Sequence, residues 1–395
     1  MMYDVCIVGG CGHVGLPLAI ALASKGKKVC VQDINKESID FIKKGVMPFQ
    51  EEGAEPILKE VLKNGNLSLT TEPSSISESE IVIFIIGTPV DEHLNPKFGL
   101  MKELIEQYYD YFNDGQLLIL RSTVYPGISK KIHNWIHKKG KNMHIAFCPE
   151  RILEGKAMEE LEKLPQIVSS FSEEGLNKSI DLFSLLTKDI VILDPMEAEL
   201  TKLFNNVWRY IKFATANEFY MIANDYGLDF YRIYHAMTHN YKRAKDFPRP
   251  GFAAGPCLFK DAMQLGAFNN NNFYLGHTAM LINEGLPNYI VKSLKAKMTL
   301  SETTVGILGM AFKGESDDIR ESLSYKLKKI MEVEANEVLC TDPFVKDDRL
   351  VSLEKVIKKS DVIIVATPHS EYKKLELKNK KIVDVWNILG NGGLI

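Results

Sequence analysis

The chain has 395 residues, a length that suits two or three domains, with 45% hydrophobic and 25% charged residues, the composition of an ordinary soluble globular protein. A net charge of −3 gives no global attraction for nucleic acid or an acidic membrane surface, so any anion site must be local. The six cysteines, at 6, 11, 30, 148, 257 and 340, form no CxxC pair and no Cys/His cluster, which argues against a disulfide scaffold or a metal site and fits free thiols in a reducing cytoplasm.

The opening MMYDVCIVGG has no basic n-region and enters a strand pattern at once, so it does not read as a signal peptide, and no apolar run approaches the ~18 residues of a membrane span. Residues 4–8 read as a buried strand. It runs into Gly9-Gly10-Cys11-Gly12-His13-Val14-Gly15, a helical run over 16–25 ended by Gly26, and a second strand over 28–32 ending at Asp33. This is a GxGxxG loop between strand and helix, with an acid 18 residues after its last glycine. Gly10 allows the tight turn, Gly12 lets backbone approach a pyrophosphate, and Gly15 lets helix and strand pack closely. The helix N-terminus favours the diphosphate. His13 and Val14 belong to the same cofactor loop. Asp33 would accept from the ribose hydroxyls and repel a 2′-phosphate, which predicts NAD over NADP.

Further strands follow at βα spacing. Residues 81–86 end at Gly87-Thr88-Pro89, residues 116–120 run into Arg121-Ser122-Thr123, and residues 144–148 run into Pro149-Glu150-Arg151. Ligands of an open parallel sheet bind outside the carboxyl ends of its strands. Thr88, Pro89, Thr123, Glu150 and Glu154 are therefore candidates for the crevice, although a threonine at such a place also serves as a cap or turn residue. Residues 190–193 read as the last strand of this half. A long helical pattern then begins near Glu197. On it Lys202 and Asn206, four apart, share one face. They could donate together to an oxyanion or stand on a solvated face.

Next comes Gly251-Phe252-Ala253-Ala254-Gly255-Pro256-Cys257-Leu258-Phe259-Lys260-Asp261, a bend that presents a cysteine. Lys242, Arg243, Lys245 and Arg249 precede it. A thiol in an electropositive turn is where a reactive thiolate is expected, and a buried structural cysteine is the alternative. After a second helical region over 273–297, residues 303–310, 337–340, 361–366 and 381–385 restart the alternating βα pattern. This region lacks GxGxxG, so it takes no second dinucleotide, and a nucleotide or diphosphate is the partner it suits. The fold expected is α/β: two Rossmann-like parallel-sheet domains joined by a central helical segment. The expected boundaries are 1–195 for NAD, 196–300 for the helical segment with the cysteine turn, and 301–395 for the nucleotide of a substrate.

Seven motifs in order resemble the nucleotide-sugar 6-dehydrogenases, the family of UDP-glucose, GDP-mannose and UDP-N-acetylmannosamine dehydrogenases. They are GCGHVGLPLA, GTP at 87–89, STVYPG at 122–127, PERILEG at 149–155, KLFNN at 202–206, the cysteine turn, and GMAFKGESDDIRES at 309–322. The resemblance covers nearly the whole chain. It implies a four-electron oxidation of a sugar C6 alcohol to the carboxylate, with hydrides passing to NAD and a cysteine thiohemiacetal and thioester on the way. It implies Cys257 as nucleophile and Lys202 and Asn206 as oxyanion donors. Asp261 would hold a water and assist the first deprotonation with Thr123. Glu150 would activate the hydrolytic water, and Glu154 would sit by the sugar or cofactor, roles the two could exchange. Thr88, Thr123, Lys260 and Arg320 would lie near the cofactor. Lys313 would meet the diphosphate, with Arg249, Lys245 or Arg243 beside it, and Gly251, Phe252 and Gly255 would line the sugar site. A homodimer through the central helix is implied too.

The turn departs from the family's GFGGSC form. It is one residue longer between phenylalanine and cysteine, and Pro256 replaces the serine. The C-terminal Asp384-Val385-Trp386-Asn387 lacks the family's arginine. These changes favour a UDP-N-acetylhexosamine, mannosamine first, with UDP-glucose or GDP-mannose as alternatives. A two-electron β-hydroxyacid dehydrogenase would use Lys202, Asn205 and Asn206, but not Cys257 or the region after 303. A redox sensor would leave Lys202, Asn206 and Glu150 without a function. Cys148 is the rival nucleophile, read as a packed strand residue.

Overall fold

Short apolar runs bounded by turn residues form the strands, and with helices between them the named strands of the described residues pair in parallel. The computed structural model describes residues 2–87, 99–253, 255, 257–377 and 380–395. Thr88, Pro89, Ala254 and Pro256 lie outside the described residues. Two compact units divide the chain, at 1–205 and 206–395.

In the first unit β1 (Tyr3–Val8), β2 (Val29–Gln32), β3 (Leu67–Thr70), β4 (Ser79–Phe84), β5 (Leu117–Leu120) and β6 (His144–Phe147) form one sheet in the order β3-β2-β1-β4-β5-β6. This is the dinucleotide-binding order, which reverses between β1 and β4. Val8 pairs with both Gln32 and Phe84, so the segments after β1, β2 and β4 emerge together at that reversal. The helix Gly15–Ser24 is buried from Gly15 to Ala23. Its sequence is apolar all round, so it suits a fully covered position. Residues 190–193 do contain a strand, β8 (Ile190–Ile192), but it pairs with β7 (Gln166–Val168) in a separate two-stranded sheet. Strand spacing alone does not say which sheet a short strand joins.

In the second unit β9 (Thr304–Leu308), β10 (Glu337–Thr341), β11 (Val362–Val365) and β12 (Lys381–Val383) form a parallel sheet in the order β10-β9-β11-β12. Leu286, Ile290, Val291 and Leu294 of the helix Tyr274–Lys295 share a core with Val305 and Ile307 of β9 and with Phe252. The helical region thus packs into one body with the C-terminal sheet. The central helix, Pro195–Asp225, buries Val207, Tyr210 and Ala214, while Trp208, Phe219 and Ile222 are exposed. Among the described residues no helix is long and apolar enough to cross a membrane.

Candidate active site

In the first unit the glycine loop is held by packing at two positions and left open at the third. A Cβ on Gly15 would lie 2.6 Å from Gly10 Cα, and one on Gly10 2.9 Å from Val31 Cγ1. A Cβ on Gly12 would meet nothing within 4 Å. The protein itself does not require a glycine there, whereas a diphosphate pressed onto the backbone would. Val14 is the N-cap of the helix Gly15–Ser24, and the His13 ring lies 4.1 Å from that of Phe49. Asp33 ties the end of β2 to the loop by accepting from Cys11 N at 3.0 Å and Asn35 N at 2.9 Å. These residues fit a dinucleotide.

The two glutamates differ in their surroundings. Glu150 is buried. Its Oε1 accepts from the amides of Arg151 at 2.6 Å and Ile152 at 3.1 Å, and its Oε2 is paired with Arg121. Arg121 is buried as well, donates to the Cys148 carbonyl and to Gln166 Oε1, and lies 4.6 Å from the Phe183 ring. Both oxygens of this carboxylate are thus already engaged by donors of the chain. Glu154, by contrast, is half-buried. Thr123, also half-buried, stands in the loop before the helix Ile128–Lys138. From the central helix, Glu199 accepts from the amides of Gly127 at 2.6 Å and Ser129 at 2.9 Å, capping that helix from outside. Burial pushes the Glu199 carboxyl up against the pull of these amides.

In the second unit Cys257 is the N-cap residue of the helix Leu258–Phe268, where the helix dipole favours an anion. Of the six cysteines it alone is exposed. Burial pushes the Cys148 thiol up to about 11, and burial with the charge of Asp33 pushes Cys11 up to about 12. The rival nucleophile is thereby a packed thiol. One turn into the Cys257 helix, Asp261 is fully buried and its Oδ2 accepts from Asn206 Nδ2 at 2.6 Å. Its Oδ1 has Lys260 Nζ at 3.5 Å and no hydrogen-bond donor among the described residues. Lys202 lies one turn before Asn206 on the central helix and is half-buried.

The turn before Cys257 is anchored at both glycines. Gly251 donates to Asn217 Oδ1 at 2.8 Å, and its carbonyl accepts from Asn217 Nδ2 at 3.1 Å. Asn217 donates in addition to Asn283. A Cβ on Gly251 would fall 2.4 Å from the Trp386 ring, and one on Gly255, at φ +106°, 2.6 Å from that of Phe312. Phe252 is buried in the core with Phe230 and Leu286. The Lys313 ammonium lies 5.7 Å from the Phe312 ring. Arg249 is exposed and rests over Tyr231, and Arg243 rests on Tyr241. Arg320 makes a forked pair with Asp318, two residues before it in the same loop.

Three models of one family match the chain in order: the NAD binding domain of the UDP-glucose/GDP-mannose dehydrogenase family over residues 3–184, its central domain over 196–284, and its UDP binding domain over 306–391. The chain belongs to the UDP-glucose/GDP-mannose dehydrogenase family. It is an NAD-dependent oxidoreductase of nucleotide sugars. The chain is similar to UDP-N-acetyl-D-mannosamine dehydrogenase of Pyrococcus horikoshii, at 32% identity over 96% of this chain and 94% of the relative. The relative of the same name from Methanococcus aeolicus is 30% identical over 98% and 92%. Among solved structures, UDP-D-ManNAc dehydrogenase from Pyrococcus horikoshii superposes with a TM-score of 0.90 at 31% identity, covering 99% of this chain and 97% of that one. The UDP-N-acetyl-mannosamine dehydrogenase Cap5O from Staphylococcus aureus gives 0.87 at 26% identity, covering 99% and 97%.

Arg121, Glu199 and Asn217 carry much of this arrangement and are not among the candidates that the sequence offers. Arg121 had a signal, since it opens the polar stretch after β5. Asn217 had none, because a helical amide reads the same whether it faces water or a backbone turn.

Proposed function

We propose that this dehydrogenase oxidises the C6 hydroxymethyl of UDP-N-acetyl-D-mannosamine to the uronate in two oxidations, through a thioester on Cys257. The names of the relatives support the sugar, and UDP-glucose and GDP-mannose are the alternatives. The observation that carries the chemistry is Cys257: the one exposed thiol, at a helix N-terminus, a turn from a buried Asp261 held by Asn206. NAD, when bound, accepts the hydride in each oxidation.

Gly10, Gly12, His13, Val14, Gly15 and Asp33 hold that cofactor in this reading, with Thr123 near it. Asp261 takes up the C6 hydroxyl proton through a water that donates to its Oδ1. Lys202 and the second N–H of Asn206 stabilise the alkoxide, each such donor contributing a few kcal/mol. The Cys257 thiolate then adds to the aldehyde carbon. A C–S bond forms, and the carbonyl oxygen takes the negative charge and the same two donors. The second oxidation leaves a thioester. Water attacks the acyl carbon, the C–S bond breaks, and carboxylate and thiolate are released. We assign the hydrolytic water to Glu154, because Glu150 is engaged by Arg121 and two amides. Lys313 meets the diphosphate.

The exposed stripe Trp208, Phe219, Ile222 and Tyr226, at helical spacing, supports a homodimer in which a second copy covers the central helix. Free thiols throughout support a cytoplasmic location. The test is NADH yield over a panel of UDP- and GDP-sugars. Two NADH per UDP-N-acetyl-D-mannosamine, and none from Cys257→Ala beyond the first oxidation, is the expected result. One NADH per molecule with wild-type protein would select the two-electron reading. Sedimentation with Ile222→Lys tests the dimer, the expected result being monomer.

A further inference from the structure

The nucleotide half contains a buried polar hub that the reaction scheme does not use. Asp342 follows β10, and its side chain is fully covered. Its Oδ2 accepts from Met310 N at 2.6 Å, Ala311 N at 3.0 Å and His369 Nε2 at 3.0 Å. Its Oδ1 accepts from Phe344 N at 2.8 Å and Val345 N at 3.0 Å. A carboxylate among so many donors is an anion, so the imidazole must donate through Nε2. The other ring nitrogen, Nδ1, accepts from Glu315 N at 3.1 Å. The His369 ring is thereby held at both nitrogens in one orientation.

The loop so held is the one that carries Lys313. It leaves β9 at Gly309 and runs to Glu315, a non-glycine residue at φ +55°, a costly backbone conformation that persists only where its surroundings impose it. Thr367 donates to the Ala311 carbonyl at 2.6 Å, and Ser370 N donates to Glu315 Oε1 at 2.6 Å. A Cβ on Gly314 would fall 2.7 Å from the Pro368 carbonyl oxygen. Asp342 grips the start of the loop and His369 its end.

We propose that His369 is a positioning residue for the nucleotide: fixed by Asp342, it locks the strained Glu315 end of the loop and so holds Lys313 ready for the diphosphate. This rests on the reading of Lys313 given above. A second proton on His369 would set an Nδ1–H against the Glu315 N–H and release the loop. The charged and titratable groups facing the ring are Asp342 at Nε2, Glu315 with its carboxylate turned to Ser370, and the Tyr372 ring at 5.5 Å, with the Phe344 ring at 5.1 Å.

The test titrates the full-length chain with UDP-N-acetyl-D-mannosamine in the absence of NAD, so that nothing turns over, from about pH 8 down to about pH 5, the range in which a histidine gains its proton. The diphosphate diester of this probe keeps its charge throughout. His369→Gln should weaken binding about tenfold and raise KM alike, with kcat within about threefold. Wild-type binding should weaken as pH falls through the histidine range, and the variant should lose that dependence. Wild-type affinity with unchanged pH dependence in His369→Gln would overturn the proposal. Should that variant not fold, a flat wild-type profile overturns it alone. Lys313→Ala separates the two layers: a loss there with His369→Gln silent defeats only the positioning role, while silence in both defeats the nucleotide reading itself.

Discussion

The Phe312 ring lies against Gly255 so closely that a Cβ on the glycine would come within 2.6 Å of Phe312 Cδ2. The loop that leads to Lys313 therefore forms one wall of the turn that leads to Cys257. Gly255→Ala adds both a clash and an unfavourable backbone at φ +106°. It should destabilise by about 2 to 4 kcal/mol, and acid formation should fall more than tenfold. Phe312→Leu in the same chain should restore the packing part of the melting temperature and leave the backbone part. Thermal melts of both variants read this directly, and full additivity of the two changes would contradict it.

Exposure predicts a single reactive thiol. Native protein treated with iodoacetamide should take up one equivalent, on Cys257, and lose activity in step, while denatured protein takes up label at all six cysteines. Peptide mapping locates the label. Labelling of Cys148 before Cys257 would reverse the assignment, against a thiol that burial pushes up to about 11.

The two glutamates should separate in the covalent intermediate. Glu154→Gln should stop after one burst of NADH, with a UDP-sugar acyl group on Cys257 visible by intact mass. Glu150→Gln should accumulate none. It should instead lower stability by about 3 kcal/mol or more, because a buried Arg121 loses its partner. Acyl-enzyme building up in Glu150→Gln alone would exchange the roles.

Asp342 makes a prediction about acid. Burial pushes its carboxyl up, but His369 and the surrounding amides outweigh this and hold it at about 2, below the ordinary 3.8. A depressed carboxyl contributes stability that is present above the unfolded value and is lost as pH falls through the folded one. The window is therefore about pH 4 to 2, and the contribution is of order 2 kcal/mol. Denaturant melts across that window should show the loss in wild type. Asp342→Asn should be less stable at neutral pH and flatter in acid.

Much of this was legible because it is local. The glycine loop, the strands that end in Asp33, Thr123 and Glu150, and the helix with Lys202 and Asn206 each follow from spacing within a few residues. Partnership across the chain was not legible. Arg121 and Glu150 are 29 positions apart, and nothing near either announces a buried ion pair. His369 and Asp342 each follow a strand, at Thr367-Pro368 and at Thr341, and read as ordinary strand-end residues until β10 and β11 are seen flanking β9. Phe252 is placed by the sugar by the resemblance, and its packing with Phe230 and Leu286, far from it in the chain, is not written in the residues around it.

Trp386 on Gly251 and Phe312 on Gly255 constrain how such enzymes can be recombined. A chimera that grafts the C-terminal sheet of one relative after residue 300 of another would keep the cysteine turn of the first and replace both rings that shape it. A junction at the boundary between residues 205 and 206 carries the turn, its asparagine clamp and both rings as one inheritance. Substrate choice in hybrids should follow that larger block and not the nucleotide sheet alone.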